Sequence, residues 1–342
     1  MGPCECFDVS DATRIAEVRR VAAAMGSSAG FNEVERGKLA LVVTEAGTNL
    51  IKHAGGGEMI LYPLYAGSSQ GVQMLALDKG PGDANIERCL EDGYSKAGTS
   101  GNGLGAIIRM SRKFDIYSQP GLGTAVCAEV WADSAGQFPS RRMDIGSFCK
   151  SMIGELVCGD SASTHEDDTR GLCLIIDGLG HGAFAQQAAI TGTRLFEQYH
   201  EHEPIETMNF IHKGMAATRG GCGSLAAMSW NSHTLKYCGI GNIAVVLASP
   251  GVRRSLVSMN GTLGQNPLKM KEFNYPWAEN DLLVMHSDGM TANWNFDTYP
   301  GLMERRPALI AGVLYRDFCR RRDDFSIIVA RLRSVPGLQA NS

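Results

Sequence analysis

Two groups of acidic and amide side chains stand where turns of the chain would gather them. The first begins with Glu45 and Asn49, four residues apart and so on one face of a helix, with His53 continuing the line. A carboxylate and an amide on one face could address a single ligand, or be a solvated face and nothing more. Further on, Asp78-Lys79-Gly80-Pro81-Gly82 closes a nearly all-apolar run. A carboxylate there could accept a hydrogen bond from a base amine, and the two glycines would let backbone approach a planar ligand. Thr99 to Gly105, TSGNGLG, then opens directly into a helix, where free N–H groups and the positive dipole end favour a phosphate. Each piece alone is weak; the ordered series, completed by the Gly123-Thr124 turn, is not.

The second group is acidic throughout: Asp160 in CGDS, Asp177 in IIDGLGHG, Asp288 in HSDGM, and Asp323 with Asp324 in RRDDFSIIV. Each is expected to end an apolar strand or begin a turn, and strand-end aspartates far apart in sequence can converge. Mg²⁺ and Mn²⁺ prefer such oxygen ligands, and no His/Cys cluster competes for the role. Any single Asp-Gly is ordinary turn chemistry; the set points to metal binding.

The elements that must position these residues follow from periodicity. Val34 to His53 carries Leu39, Val42, Val43, Ala46 and Leu50 as a helical stripe, which turns Glu45 and Asn49 away from the core. Strand-like runs at Glu58 to Tyr65 and Val72 to Asp78 follow, then a helix at Ala106 to Lys113, then FDIYS and AVCAEVW as a hairpin about PGLGT. Asp133 to Arg142 is polar, contains Gly and Pro, and breaks the pattern, which marks a linker. Beyond it come ELVCGDS and LCLIIDG, helices at Ala183 to Tyr199 and Ile205 to Thr218, and the β-type runs SLAAMSW, LKYCGIG, IAVVLAS, RRSLVSM and LLVMHSDG. A short helix near Ala308 to Phe318 and the strand FSIIVARL complete the chain before a tail. The fold class is α+β with predominantly antiparallel strands. The expected domains are residues 1–133 and 143–333, joined by a linker at 134–142 and followed by a tail at 334–342.

Composition narrows the function. The 342 residues suit two domains. With 32 basic against 36 acidic residues, a net charge of -4 and no dense basic run, neither nucleic acid nor an anionic membrane is an expected partner. No run approaches the ~20 apolar residues of a bilayer span, and the N-terminus has neither a basic n-region nor an apolar h-region. A soluble cytoplasmic protein is expected. The ten cysteines include no C-x-x-C pair and mostly sit singly in apolar runs, as buried reduced thiols do.

The first series resembles the GHKL ATPase family, specifically the small anti-sigma-factor kinases of the RsbW and RsbT kind, over roughly residues 10 to 131. The resemblance implies a Bergerat α/β sandwich that binds ATP with Mg²⁺. Asn49 would hold the Mg²⁺ and Glu45 would be the general base for the attacking hydroxyl. Asp78 would bind the adenine amine, with Gly80 and Gly82 shaping that wall and Thr124 completing the contact. Asn102, Gly103 and Gly105 would lie along the phosphates, and the loop from Asp83 to Gly98 would be a short lid. No phosphoacceptor-histidine domain precedes the series, which disfavours a histidine kinase.

The second set resembles the metal-dependent PPM-type Ser/Thr phosphatases of the SpoIIE, RsbU and RsbX branch, from about Met143 to Leu332, on DGLGHG, GIGN, SDGM and DDFSIIV. A β-sandwich flanked by helices and two Mn²⁺ or Mg²⁺ ions are implied. Asp177, with the Gly178 carbonyl beside it, would bridge the metals. Asp288 and Asp323 would complete the second site, and Asp160 would support a metal-bound water or a metal directly. Cations so held would acidify a shared water and neutralise the phosphoryl oxygens during in-line attack, with no phosphoenzyme. The chain departs from many relatives after the GD motif: it reads GDSASTHEDD, with Asp167 and Asp168 displaced into an expected hairpin turn. His181 could be a general acid or structural. Asp323 is favoured over Asp324 because it stands at the strand's entry.

Together the two resemblances imply a bifunctional switch acting oppositely on phosphoserine or phosphothreonine of a STAS-domain anti-sigma-factor antagonist or stressosome-type scaffold, with a homodimer left open. The alternatives are a non-catalytic module that binds ATP and sequesters a sigma-factor regulator, and a nucleotide hydrolase outside signalling.

Overall fold

The computed structural model describes residues 4–84, 86, 103–132, 141–266 and 268–332. The lid from Asp83 to Gly98 falls outside these except for 83, 84 and 86, and Asn102, linker residues 133–140 and the tail fall outside altogether. The chain divides into two compact units. One gathers residues 4–132 with Tyr299–Arg316, and the other gathers 141–298 with 317–332. The stretch Tyr299–Arg316, which the sequence reading counts with 143–333, thus lies with the first unit.

In the first unit, β1 (Glu5–Val9), β2 (Gly57–Ala66), β3 (Ser69–Leu77), β4 (Lys113–Gln119) and β5 (Gly123–Trp131) form one sheet in the order β1-β2-β3-β5-β4, antiparallel throughout. Helices α1 (Ala12–Ser28) and α2 (Glu33–Ala54) share its core, and α3 (Gly103–Met110) packs on α2. The N-terminus of α2 is fixed by reciprocal bonds: Asn32 Oδ1 accepts from Glu35 N at 3.0 Å, and Asn32 N donates to Glu35 Oε2 at 2.6 Å. Gly55, at φ +72, ends it in a left-handed turn. The stripe Leu39, Val42, Val43, Ala46 and Leu50 is buried, and each large member contributes about 1.5–3 kcal/mol by leaving water.

Helix α1 is an addition to the sequence reading. Its buried face, Ile15, Val18, Ala22 and Gly26, is small and weakly apolar. Asp11 caps it, accepting from Thr13 N at 2.8 Å and Arg14 N at 3.1 Å. Helix α3 starts at Gly103 rather than Ala106, so the glycine-rich run enters the helix itself.

The second unit is two five-stranded sheets. One has the order β13-β10-β9-β8-β7 and the other β12-β11-β14-β15-β6. The first comprises β7 (Asp160–Glu166), β8 (Arg170–Gly178), β9 (Gly221–Ser229), β10 (Thr234–Ile240) and β13 (Phe273–Pro276). The second comprises β6 (Met143–Lys150), β11 (Ala244–Ser249), β12 (Val252–Ser255), β14 (Leu282–His286) and β15 (Phe325–Leu332). All pairings are antiparallel. Strand β8 shows why its sequence is apolar without alternation. Cys173 and Ile175 join the core shared with β14 and β15, while Leu172, Leu174 and Ile176 meet α4 (Ala183–Tyr199) and α5 (Pro204–Gly214).

Two expectations are corrected here. Asp160 begins a strand rather than ending one, because residues 151–159 are irregular. The helix expected to reach Thr218 stops at Gly214, after which Thr218 Oγ1 caps the Met215 carbonyl at 2.7 Å and Gly220, at φ +79, redirects the chain. The β7–β8 turn is as expected: Asp167 Oδ1 accepts from Thr169 N, Thr169 Oγ1 and Arg170 N at 2.7, 2.6 and 2.9 Å, so its carboxylate is committed to the turn.

Candidate nucleotide and metal centres

Helix α2 presents Glu45 and Asn49 to the first residue of α3. A β-carbon at Gly103 would stand 2.9 Å from Glu45 Oε2 and 3.7 Å from Asn49 Oδ1. Only a residue without a side chain brings the helix start this close to both groups. Gly105 is buried in the same helix. His53, the third residue of the line, is exposed near the end of α2.

A second cluster forms where β3 ends. Asp78, 9% exposed, accepts on one carboxylate oxygen, Oδ1, from Gly80 N at 2.8 Å and Thr124 N at 3.0 Å. Asp78 N donates to the Thr124 carbonyl at 2.9 Å. The Thr124 hydroxyl meets Ser118 Oγ at 2.8 Å, and Ser118 Oγ accepts from Asp83 N at 2.8 Å. Ser118 is a member of this network that the motif reading missed; its place opposite Thr124 in the β4–β5 register is the signal that reveals it. Gly80 packs on Ala54, the last residue of α2, where a β-carbon would come within 2.7 Å of the alanine's own. Gly82, at φ +66, turns beneath the Gln119 carbonyl. The cluster therefore sits at the end of the helix that carries Glu45 and Asn49.

In the second unit, Asp160 and Asp177 are direct partners across β7 and β8. Burial first, then Asp160, Asp288, Asp323 and Asp324 in turn, push the Asp177 carboxyl up to about 9. Asp160 rises to about 7, again through burial, with Asp324 and Asp288 adding to it and the hydroxyls of Ser287 and Ser326 opposing. Burial and then Asp323 raise Asp288 as well, against Arg320 and against Asn242, whose Nδ2 donates to Asp288 Oδ2 at 2.7 Å. Asn242 lies in GIGN, a motif that points to the site without naming this residue. Gly178, buried at the end of β8, donates to the Gly159 carbonyl at 3.0 Å.

Asp323 and Asp324 take different places. Asp324 is 3% exposed, accepts from Met152 N at 2.9 Å on Oδ1, and donates from its own N to Asp323 Oδ1 at 2.9 Å. Asp323 is half-buried. Asp324 Oδ2 and Asp160 Oδ2 are buried without a hydrogen bond. His181 Nδ1 lies 2.6 Å from Glu155 Oε1, a tie the sequence reading did not anticipate.

An all-oxygen set of carboxylates raised by one another, with orphaned buried oxygens, fits a hard divalent cation. Among the described residues no three His, Cys, Asp or Glu groups converge tightly enough to hold an ion as they stand. Close carboxylates of this kind are relieved either by a shared proton or by a cation between them.

Residues 9–130 match the histidine kinase-like ATPase domain family, and residues 167–333 match the stage II sporulation protein E (SpoIIE) family. The chain is thus a fusion of a GHKL-type, kinase-like ATPase domain with a SpoIIE-type PPM phosphatase domain. The phosphoserine phosphatase RsbX of Bacillus subtilis (strain 168) is 27% identical over 138 residues, 40% of this chain and 69% of RsbX. The serine/threonine-protein kinase RsbT of the same organism is 27% identical over 131 residues, 38% of this chain and 98% of RsbT. Among solved structures, a chain of the bacterial stressosome system aligns with a TM-score of 0.52 at 23% identity, covering 56% of this chain and 100% of that one. RsbX in complex with magnesium aligns with a TM-score of 0.50 at 22% identity, covering 57% of this chain and 97% of RsbX; these two show the fold.

Proposed function

We propose that the protein removes phosphate from phosphoserine or phosphothreonine of a STAS-domain partner in the cytoplasm through its second unit, and phosphorylates the same class of partner from ATP through its first. The observation that carries the phosphatase reading is the direct pairing of two buried carboxylates, Asp160 and Asp177, across β7 and β8 at one sheet end. Asp177, the Gly178 carbonyl, Asp288 and Asp323 would hold two Mn²⁺ or Mg²⁺ ions, with Asp160 supporting them; bound there, the cations would neutralise phosphoryl oxygens and lower the pKa of the attacking water. Asn242 holds the Asp288 carboxylate in place. Asp323 stands at the entry of β15, half-buried where Asp324 is 3% exposed, which supports Asp323 as the ligand of the pair.

In the kinase reading, Glu45 takes the proton from the acceptor hydroxyl and Asn49 holds the Mg²⁺ of the nucleotide. Asn102, Gly103 and Gly105 line the phosphates, and Asp78, Gly80, Gly82 and Thr124 form the adenine wall. Gly103 against both Glu45 and Asn49 supports it.

The test is phosphate release from p-nitrophenyl phosphate with Mn²⁺, and transfer of labelled phosphate from ATP to a STAS-domain protein. Turnover lost in Asp177→Asn, and transfer lost in Asn49→Ala, are the expected results. Unchanged hydrolysis in both Asp177→Asn and Asp288→Asn would sink the metal assignment. Partner binding without either turnover would favour sequestration.

A further inference from the structure

The segment Tyr299–Arg316 belongs to the unit that holds the nucleotide cluster, although in sequence it lies between β14 and β15. Most of it is helix α6 (Pro307–Phe318), apolar on every side and buried from Pro307 to Arg316. Within its unit, α6 lies against β3, the strand that delivers Asp78. A β-carbon at Gly312 would come 3.2 Å from Leu77 Cδ2 and 3.3 Å from Leu75 Cδ1, so a residue with no side chain sets how closely helix and strand approach. Polar ties fix the register. Arg306 Nη2 donates to Glu129 Oε1 at 2.8 Å, Arg306 N donates to Asp115 Oδ2 at 2.7 Å, and Tyr315 Oη donates to Glu58 Oε1 at 2.6 Å.

At the end of this helix, Arg316, 5% exposed, donates from Nη1 to the backbone carbonyl of Asp78 at 2.9 Å. That carbonyl stands in a crowded place, since a β-carbon at Gly123 would strike it. Asp78 is therefore held from three directions, two through its backbone and one through its carboxylate. Its N–H is given to Thr124, its carbonyl takes Arg316, and its Oδ1 takes Gly80 and Thr124. A hydrogen bond from a guanidinium to a buried carbonyl is stronger than a neutral one, and its loss leaves the acceptor unpaired.

We infer that Arg316 is a positioning residue for adenine recognition: by holding the Asp78 carbonyl it fixes the direction in which the Asp78 carboxylate meets a base amine. The inference rests on the proposed role of Asp78. The adenine wall of the ATPase unit is then completed by a side chain that the ATPase sequence, residues 9–130, does not contain.

The experiment measures ATP and GTP affinity by calorimetry on the full chain, for wild type, Asp78→Asn, Arg316→Met and Arg316→Gln. Wild type should prefer ATP, because adenine offers an amine at the 6-position where guanine has a carbonyl. Asp78→Asn should lose that preference. In Arg316→Met the ATP-over-GTP ratio should fall at least about tenfold, and Arg316→Gln, which keeps an N–H donor, should recover part of it. A purely structural loss would weaken both nucleotides in parallel, so parallel weakening with an unchanged ratio overturns the inference, as does an unchanged ratio in a variant that binds normally. Wild type without preference for ATP overturns the reading of Asp78 and the inference with it. Preserved far-ultraviolet dichroism in Arg316→Gln guards the comparison against misfolding.

Discussion

Asp160 and Asp177 oppose each other in one register pair of β7 and β8, so two carboxylates share a sheet face at a strand end. Burial is the main reason the two are pushed up to about 7 and about 9, with Asp324 and Asp288 adding to Asp160 and Asp160 adding to Asp177; like charges placed directly across an antiparallel pair also destabilise it. Removing one carboxylate should therefore separate stability from activity. Asp177→Asn is expected to lower phosphatase turnover by more than the roughly 10–100-fold that a supporting group commonly costs. In chelator it should also melt above the wild type, by roughly 2–4 °C for each kcal/mol of repulsion relieved. Melting curves in chelator check this; a variant that melts below wild type would count against the carboxylate crowding.

Divalent cations should reverse that order. At about 100 times the dissociation constant, a bound ion stabilises the folded state by about 2.7 kcal/mol. Titration of Mn²⁺ or Mg²⁺ should raise the wild-type melting temperature steadily and that of Asp177→Asn much less. Equal shifts for both proteins would mean that the cations bind elsewhere.

Gly103 offers a cleaner probe of the nucleotide centre than Glu45 itself. A β-carbon there would fall 2.9 Å from Glu45 Oε2, so Gly103→Val must push α3 off α2 or displace the carboxylate. ATP affinity should fall by about tenfold or more. Unchanged affinity by calorimetry would place the phosphates away from the start of α3.

The capping box of α2 tests how far the helix that carries Glu45 and Asn49 depends on its own end. Asn32→Ala removes the acceptor for Glu35 N, and loss of such a cap costs about 1 kcal/mol. Denaturant unfolding should show that loss with an unchanged m value. Asn32→Ser should keep most of the stability.

One pH effect follows from a ring pair in the second unit. His165 and His200 stand with ring centroids 3.7 Å apart. Burial first, then His200, holds His165 below its usual 6.5. A folded-state value below the unfolded one means that the unfolded chain takes up the proton first as pH falls. The contribution is therefore fully present above about pH 6.5 and is lost as pH drops through the window beneath it. His165→Phe should flatten the fall in melting temperature between about pH 7.5 and about pH 5. An equally steep fall in the variant would assign the acid sensitivity to other groups.

Local signals in the sequence reached local structure. The stripe from Leu39 to Leu50 locates α2 and turns Glu45 and Asn49 outward, Asp177 is legible at the end of its apolar run, and Ala183–Tyr199 and Phe325–Leu332 agree to the residue. Helix α1 escaped because its buried face is partly Ala and Gly, which give little contrast with its polar side. Strand β6 escaped because its partner is β15, and no local pattern reports a pairing across so much chain. The short helix near Ala308 is legible in the sequence, but its apolar surround says only that it is buried, not which unit buries it. Ser118, Asn242, Glu155 and Arg316 act through contacts made by folding, and none stands in a position that spacing alone marks.

The pairing of β6 with β15 has a consequence for synthesis on the ribosome. Lys150 must wait for Phe325, and Met143 for Leu332, before β6 has its partner strand in place. At about 5–20 residues per second that delay is roughly ten to forty seconds. The first unit waits as well, since α6 is translated only just before β15. Each unit is finished by residues beyond 298, so the nascent chain completes both almost together, and until then β3 and β14 stand as apolar strands for a chaperone to shield.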